Sequence, residues 1–190
     1  MSLPKILLAT RWLNLLDVDG WVFASRRRPG DPKGIDAVNI IAWHRQSPND
    51  PLCRLVVIEE FRKAIGQWEF SLPAGLLEKN ESIADCGGRE LKEETGLDVT
   101  GIDFTSGETF SSAGISDVTQ AFITIQCQGT PNLKPGVCGE KIRVHLFGQQ
   151  ASASLLETNR QGKAAISARL WPILVNIAHA GSFAQTKVAP

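Results

Sequence analysis

Three glutamates near the middle of the chain have the type and spacing to do chemistry together, within the run Arg89–Glu94. Residues three and four apart share one face of a helix, so Glu90, Glu93 and Glu94 would gather their negative charges in one patch. Each like-charge pair costs about a few tenths of a kcal/mol even on a solvated helix. Clustered carboxylate oxygens are the ligands that hard cations such as Mg²⁺ prefer. The pattern predicts a Mg²⁺ site, which could also take Mn²⁺, and leaves an ordinary solvated face open as the alternative.

The direction in which these acids point favours the metal site. At about 100° per residue, Glu90 and Glu94 fall within roughly 20° of Ile83, which marks the inward side of the predicted helix. Gly87 and Gly88 lie in the middle of that helix, where each costs about 1 kcal/mol relative to alanine. We therefore expect another backbone segment to approach the helix closely at this turn.

The neighbouring residues define the elements around the acids. Ser82, with an acid three residues later, fits a capping box, and Gly96 fits the position just after a helix end, so a helix is predicted over 83–95. A β-like run over 68–72 precedes it and ends in the loop 73–75, Pro-Ala-Gly. The predicted order is strand, glycine loop and acidic helix.

The spacing of these residues matches a known motif. Gly75, Glu81 and the run Arg89–Leu97, separated by five and seven residues, fill every specified position of the Nudix box. At average residue usage such a match arises at a given start on the order of once in 10⁹. The chain therefore resembles the Nudix hydrolases. This resemblance implies an α/β (α+β) fold, namely the Nudix α/β/α sandwich around a mixed sheet.

The same resemblance implies roles for the residues of the box. Glu90 and Glu94, together with the backbone carbonyl of Ala74, would hold Mg²⁺, and Glu93 would be an added ligand. Arg89 would orient the glutamates through charge-assisted hydrogen bonds. A diphosphate resists attack by water until its negative charge is neutralised, and the bound cation would supply that neutralisation.

Segments outside the box resemble one branch of the family, the ADP-ribose and ADP-sugar pyrophosphatases. In that branch an N-terminal β arm reaches across a homodimer, and a tryptophan from each subunit sandwiches the adenine. Trp12 and Trp21 are similar to those two residues, and Arg26 lies where the branch has a phosphate-contacting arginine. As alternatives, the tryptophans could be core or dimer-interface residues, and the run 26–28 could be a weak nucleic-acid patch.

Further positions carry the resemblance beyond the arm. Asp36 opens a predicted strand as a substrate-contacting acid does in that branch, and Arg62 is similar to an arginine that approaches the ligand, with a surface arginine as the alternative. Glu140, at the end of the loop 129–139, resembles the catalytic glutamate and would be the general base. Ala113 stands where the branch usually has a proline, which keeps other substrates open.

The resemblance predicts an enzyme, a Mg²⁺-dependent pyrophosphatase. It would hydrolyse ADP-ribose or a related nucleoside diphosphate sugar to AMP, or another nucleoside monophosphate, and a sugar phosphate. The alternatives are a Nudix hydrolase of another nucleoside diphosphate derivative, such as another nucleotide sugar, a dinucleotide or capped RNA, and a non-catalytic nucleotide sensor. The intact box argues against the sensor, because a pure binder does not need all three helix glutamates.

Composition limits the class of protein. The 190 residues are 43% hydrophobic and 21% charged, which is typical of a globular domain with room for an added arm. The formal net charge is zero, which does not favour nucleic acid or an anionic membrane as the partner and leaves small molecules. No apolar run approaches the roughly 18 residues of a membrane span, and the four cysteines form no CxxC pair. We expect a soluble, cytoplasmic protein with free thiols.

Turn signals divide the chain into an N-terminal β arm over 1–33 and a Nudix hydrolase domain over 34–190. The arm is predicted to have two antiparallel strands joined at Asp19-Gly20. Two strands cannot bury their own faces, so the arm would pack on another surface, such as a second copy in a homodimer. Further strands are predicted over 36–43, 55–61, 120–127 and from 142, and a helix that Pro172 kinks or divides is predicted over 162–180.

Overall fold

In the computed structural model, which describes residues 2–47, 50, 52–131 and 142–180, the N-terminal arm is an antiparallel sheet. Its strands, in the order in which they pair, are β1 (Lys5–Ala9), β2 (Asn14–Val18) and β3 (Trp21–Ser25). The turn between β2 and β3 is the predicted Asp-Gly turn, in which both residues have positive φ.

The prediction of two strands in the arm was wrong, because β1 adds a third. The turn that joins β1 to β2 contains neither glycine nor proline, so the sequence gives no turn signal there. Instead, the Thr10 hydroxyl donates to the carbonyl of Leu13 at 2.6 Å and accepts the Leu13 backbone N–H at 2.9 Å. A threonine side chain thus closes the turn.

The domain contains a large mixed sheet, as predicted. Its strands are β4 (Ala37–His44), β5 (Arg54–Arg62), β6 (Gln67–Ser71), β7 (Ala74–Leu76), β8 (Asp98–Thr105), β9 (Thr109–Phe110), β10 (Thr119–Gln128), β11 (Ile142–Phe147) and β12 (Ala165–Ile166). The main path is β12-β6-β5-β4-β10-β8, with β11 on β5, β7 on β4 and β9 on β10. The sheet is mixed because β4 and β10 run parallel, as do β6 and β12, while the other pairs are antiparallel.

The helices of the described chain are α1 (Ile83–Thr95), α2 (Gln149–Arg160) and α3 (Trp171–Ala178). The predicted bounds of α1 are confirmed. The single helix predicted over 162–180 was wrong, because β12 occupies its first part and Pro172 lies in the first turn of α3 instead of kinking a longer helix. Within the described ranges, no helix has both the length and the apolar character that crossing a bilayer requires.

Two apolar cores lie on opposite faces of the sheet. Val56 belongs to the core that contains Cys86 and Leu91 of α1, whereas its strand neighbours Leu55 and Val57 belong to the other core. Successive side chains of a strand point to opposite faces, so α1 covers one face. The second core includes residues of α2 and α3, which therefore cover the other face. This arrangement is the predicted α/β/α sandwich.

β4 pairs with two different strands along its length, and the second of them leads towards α1. β4 and β5 pair only at one end, where Trp43 faces Leu55 and His44 faces Arg54. Farther along, β7 takes the free edge of β4, with Ala74 opposite Asn39. The prediction of a loop over 73–75 was wrong for Ala74 and Gly75, because both pair with β4 as part of β7. The Pro-Ala-Gly segment thus belongs largely to the sheet, and the loop into α1 follows Leu76. The division into 1–33 and 34–190 stays a prediction.

Candidate active site

The acidic helix begins and ends as its sequence requires. The Ser82 hydroxyl accepts the backbone N–H of Asp85 at 3.1 Å, which satisfies one of the unpaired N–H groups at the helix start. Gly96 has φ of 75°, and its N–H donates to the carbonyl of Lys92 at 2.9 Å. A left-handed glycine of this kind is the usual way to end a helix. These two caps fix the positions of the glutamates along the helix.

Glu94 joins α1 to the Pro-Ala-Gly segment at the start of β7. Its carboxylate accepts the backbone N–H of Ala74 at 3.1 Å. The contact brings the last acid of the box next to the residue whose carbonyl is predicted to be a metal ligand. That role of the Ala74 carbonyl stays a prediction.

Glu90 packs directly against Gly75. A Cβ built on Gly75 would lie 1.7 Å from Oε1 of Glu90, a distance that no pair of non-bonded atoms can adopt. The side chain of Glu90 is only 15% exposed. The first glycine of the box is therefore needed for space, because any side chain there would displace this carboxylate.

Arg89 holds the acids in place from one side. Its Nε and Nη2 donate to the two carboxylate oxygens of Glu81 at 2.8 and 3.0 Å, and its Nη1 donates to Glu90 Oε1 at 2.7 Å. Nη2 also donates to the carbonyl of Leu76 at 3.2 Å. The two-pronged pair with Glu81 is the strong form of this interaction. Arg89 thus links the box loop, the helix and one candidate metal ligand.

The contacts of Arg89 shift the pKa values of both Arg89 and Glu81. Hydrogen bonds from Arg89, followed by the backbone N–H of Glu78, lower the pKa of Glu81 to about 2. Hydrogen bonds to Glu81 and Glu90, against a smaller opposing effect of burial, raise the pKa of Arg89 above its already high ordinary value. Burial raises the pKa of Cys86, which lies beneath Arg89, to about 12, so this thiol stays protonated. The site therefore carries fixed charges of both signs near neutral pH.

The helix face offers a donor set of oxygen atoms. Glu90, Glu93 and Glu94 lie on one face, and Glu93 is the most open of the three, with 49% of its side chain exposed and a long 3.5 Å contact to Arg89. Within the described part of the chain, no three acids, histidines or cysteines already surround a common point. The crowding of Glu90 against Gly75 and the bond from Ala74 to Glu94 nevertheless place two carboxylates beside one backbone loop. This oxygen-only set fits the preference of Mg²⁺ or Mn²⁺.

Other predicted site residues have the following surroundings. Arg62 is the last residue of β5. Its Nη1 lies 2.7 Å from Oε2 of Glu60, and its Nε lies 3.4 Å from Oε2 of Glu69. Asp36 forms an ion pair with Arg27 at 2.8 Å, a partner that the sequence did not suggest. Arg26, predicted to contact a phosphate, is exposed. Glu140, the predicted general base, lies outside the described residues.

The two tryptophans lie on the arm and are largely exposed, and the Arg11 guanidinium carbon lies 4.6 Å from the centroid of the Trp12 ring. Trp12 is 66% exposed and Trp21 is 63% exposed, which does not fit a place in the core of this chain. Trp21 pairs with Val18 at one end of the arm sheet, while Trp12 precedes Asn14 at the other end. The backbones of the two tryptophans therefore lie near opposite ends of β2.

The loop that carries Ala113 is fastened to the arm. The backbone N–H of Ala24 donates to the carbonyl of Ile115 at 2.9 Å, and Ala24 forms an isolated parallel bridge with Ser116. Ala113 itself is exposed. Ala113, which stands where the ADP-ribose branch usually has a proline, thus lies two residues before Ile115, the residue that bonds to the arm.

A comparison with known protein families matches residues 35–169 to the NUDIX domain. Among curated relatives, an uncharacterized Nudix hydrolase of Schizosaccharomyces pombe is 36% identical over 45% of this chain and 40% of its own length. An ADP-sugar pyrophosphatase of Mus musculus is 28% identical over 55% of this chain and 49% of its own length. The chain therefore spans less than half the length of these relatives.

A solved structure shares the fold over nearly the whole chain. It is a crystal structure of an ADP compounds hydrolase, with a TM-score of 0.61 and 20% sequence identity. The match covers 96% of this chain and 97% of that one. At this identity the likeness shows the fold alone.

Proposed function

Because this chain belongs to the Nudix family, we propose that it hydrolyses the diphosphate linkage of a nucleoside diphosphate sugar, with ADP-ribose as the leading substrate. The products would be AMP, or another nucleoside monophosphate, and a sugar phosphate. The observation that carries this proposal is the placement of Glu90 and Glu94 against the Pro-Ala-Gly segment, with Arg89 bonded to the acid that precedes the helix.

The acids of α1 would hold a divalent cation, Mg²⁺ or Mn²⁺. Glu90 and Glu94 would be its principal ligands, with the carbonyl of Ala74 and the more open Glu93 as further oxygen donors. When bound, the cation would neutralise the diphosphate and make its phosphorus open to attack. Arg89 would keep the Glu90 carboxylate oriented, since its bidentate bond to Glu81 leaves it little freedom to move.

The remaining roles concern water and substrate. Glu140 would take the proton from the water whose oxygen attacks phosphorus. Arg26 and Arg62 would contact the phosphates, and the exposed rings of Trp12 and Trp21 would stack on the base. The mouse relative named for ADP-sugars supports a substrate of this class. Ala113, in place of a proline, favours as a second candidate the same hydrolysis on another nucleotide sugar.

A homodimer is part of the proposal. The arm exposes a set of large apolar side chains that a lone chain leaves in water: Ile6, Leu7, Leu8, Trp12, Leu13, Leu15, Trp21 and Val22. We propose that these side chains form a contact with another protein. A second copy would cover it and bring a tryptophan of each subunit to one base.

The proposal is tested by incubating the protein with Mg²⁺ and a panel of nucleotide sugars and measuring the release of nucleoside monophosphate. Glu94→Gln should lower kcat by about 10³-fold or more, because it removes a charged metal ligand. Glu93→Gln is the matched variant and should cost clearly less, since Glu93 is more open. Tight ADP-ribose binding without turnover in the wild type would favour the sensor instead. Calorimetry that finds no uptake of Mg²⁺ or Mn²⁺, with or without nucleotide, would overturn the proposal.

A further inference from the structure

We propose that Arg27 and Asp36 form an anchor that fixes the arm to the domain, so that Asp36 acts on the substrate only through the position of the arm. Nη2 of Arg27 lies 2.8 Å from Oδ1 of Asp36, and the two side chains are only 16% and 11% exposed. This makes Asp36 a positioning residue and not a ligand contact. The kinetic part of the inference rests on the proposed function.

The surroundings of the pair leave Asp36 fully engaged. While Oδ1 faces Arg27, Oδ2 accepts the backbone N–H of Thr119 at 2.8 Å and lies 3.1 Å from its hydroxyl. Arg27 also donates from Nη2 to the Thr119 hydroxyl at 3.1 Å and to the carbonyl of Gly34. Both carboxylate oxygens therefore already serve the protein. A substrate hydroxyl would have to compete with a half-buried charge pair.

The pair connects the elements that matter for the site. Arg27 follows the end of β3, Asp36 immediately precedes β4, and Thr119 opens β10. The carbonyl of Asp36 accepts the backbone N–H of Leu77 at 3.1 Å, just past the strand that contains Ala74 and Gly75. The anchor thus links the arm to the start of β4 and, through the Asp36 carbonyl, to the residue that follows β7.

A second attachment lies beside the first. The Ser25 hydroxyl donates to Oδ2 of Asp117 at 2.9 Å, and Ser25 is fully buried. Nη1 of Arg27 lies 3.5 Å from the carbonyl of the same Asp117. Arg27 therefore contacts both the start of β4 and the loop that holds the arm. Loss of its guanidinium would leave Oδ1 of Asp36 without its charged partner and weaken the attachment, which the Ser25 hydroxyl and the backbone bonds of Ala24 would still hold in part.

A loosened arm should weaken binding more than chemistry. Trp12 and Trp21 belong to the arm, so a mobile arm must be ordered whenever the base binds, and that ordering reduces affinity. The bonds of Arg27 and Asp36 described above are made with each other and with Gly34, Leu77, Asp117 and Thr119, which are not residues of α1, so the chemical step should be preserved. The expected signature is a raised KM with nearly unchanged kcat.

The test uses the full chain and compares Arg27→Met, Asp36→Asn and the double variant. Each single change should raise the KM for ADP-ribose about tenfold and change kcat less than about threefold. The double variant should be no worse than the worse single one, because both changes break one anchor. Arg28→Met is the matched control and should be neutral, since Arg28 is exposed. Arg27→Lys, which retains the charge, should recover part of the lost affinity.

Hydrogen exchange gives a readout that does not depend on activity. The backbone amides of β3 and of residues 115–117 should exchange several times faster in Arg27→Met and Asp36→Asn than in the wild type, and not in Arg28→Met. If the wild type hydrolyses no nucleotide sugar, the proposed function fails, and the exchange pattern still decides the anchor. Full additivity of the two KM effects would show that Asp36 contacts the substrate independently. Unchanged exchange in Arg27→Met would also overturn the inference.

Discussion

At Gly75, a single hydrogen atom in place of a side chain decides where a carboxylate can lie. Gly75→Ala would put a Cβ within 1.7 Å of Glu90 Oε1, so the carboxylate must move away from the loop. A displacement of this size should lower kcat/KM about 10²-fold. Gly107→Ala is the matched control, because a Cβ there meets nothing within 4 Å and should leave activity unchanged. Steady-state kinetics with a melting curve for each variant makes the comparison, and a fully active Gly75→Ala enzyme would contradict the assigned role of Glu90.

The ion pair of Glu81 predicts a dependence of stability on pH. The folded pKa of Glu81 is lowered to about 2 by hydrogen bonds from Arg89, against an ordinary value of 4.5. Between these two values the unfolded chain binds the proton and the folded chain does not, so the stabilisation is present above pH 4.5 and is lost as the pH falls towards 2. Glu81→Gln should therefore lose stability near neutral pH and show a flatter fall between pH 4.5 and 2.

Chemical unfolding at a series of pH values measures this effect. Glu78→Gln is the matched control, because Glu78 lies in the same loop with an exposed side chain that makes no hydrogen bond within the described part of the chain. It should keep the wild-type slope. Parallel curves for Glu81→Gln and the wild type over this range would show that the bond to Arg89 does not stabilise the fold.

At the scale of single residues, the sequence predicted that the acids of α1 lie together, but it did not predict the pair of Arg27 and Asp36. Glu90 and Glu94 are close in sequence, so helical spacing alone brings them together. Arg27 and Asp36 come together only through the path of the arm, and Thr119 joins them from a distant strand. The structure explains why Arg27 and not Arg26 forms the pair: Ser25 is buried, and alternation in an extended chain points Arg27 to the same side as Ser25.

The helices and strands that were predicted have sequence signals at their ends, whereas those that were missed have none. α1 has a serine cap and a terminal glycine, so its bounds were predicted from sequence. α2 begins at Gln149, and Gly148 before it offers no side-chain cap. The helix buries only Ser152 and Leu155, which is too few residues for a clear periodicity. β12 has two residues and exists because β6 offers an edge to pair with. Its formation depends on the tertiary fold and could not be predicted locally.

The two glycines inside α1 should respond to substitution with opposite signs. Gly88→Ala should stabilise the fold by up to about 1 kcal/mol, because alanine favours a helix and the added Cβ would sit at an ordinary 3.7 Å from Val99. Gly87→Ala should destabilise it, since the added Cβ would lie 2.9 Å from Cγ2 of Ile123, a branched side chain with little freedom to move. Denaturant unfolding of both variants measures the difference.

This pair also corrects a prediction. We expected a backbone segment to approach the helix at both glycines, whereas the close neighbour at Gly87 is the Ile123 side chain of β10 and Gly88 has room for a methyl group. The packing requirement is thus confined to one position. Equal stability changes in the two variants would contradict this reading of the helix–sheet contact.

For the whole molecule, the arm carries the two tryptophans that we propose to stack on the base. Trp21 pairs with Val18 at one end of β2 and Trp12 precedes the other end, and we propose that the two rings on one base come from different subunits. If each site combines Trp12 of one subunit with Trp21 of the other, a dimer of a Trp12→Ala chain with a Trp21→Ala chain contains one intact site and one site that lacks both rings. Each variant alone forms dimers in which every site lacks one ring.

Mixed dimers purified through two different affinity tags should therefore show the wild-type KM at about half of the wild-type kcat per dimer. The parent variants should have KM values raised about 5- to 150-fold, the range that corresponds to the loss of one stacking contact of about 1–3 kcal/mol. The matched control pairs the Trp12→Ala chain with a chain that carries both substitutions, because that dimer contains no intact site. A mixed dimer whose KM stays as high as that of its parents would show that the two tryptophans do not share a site across subunits.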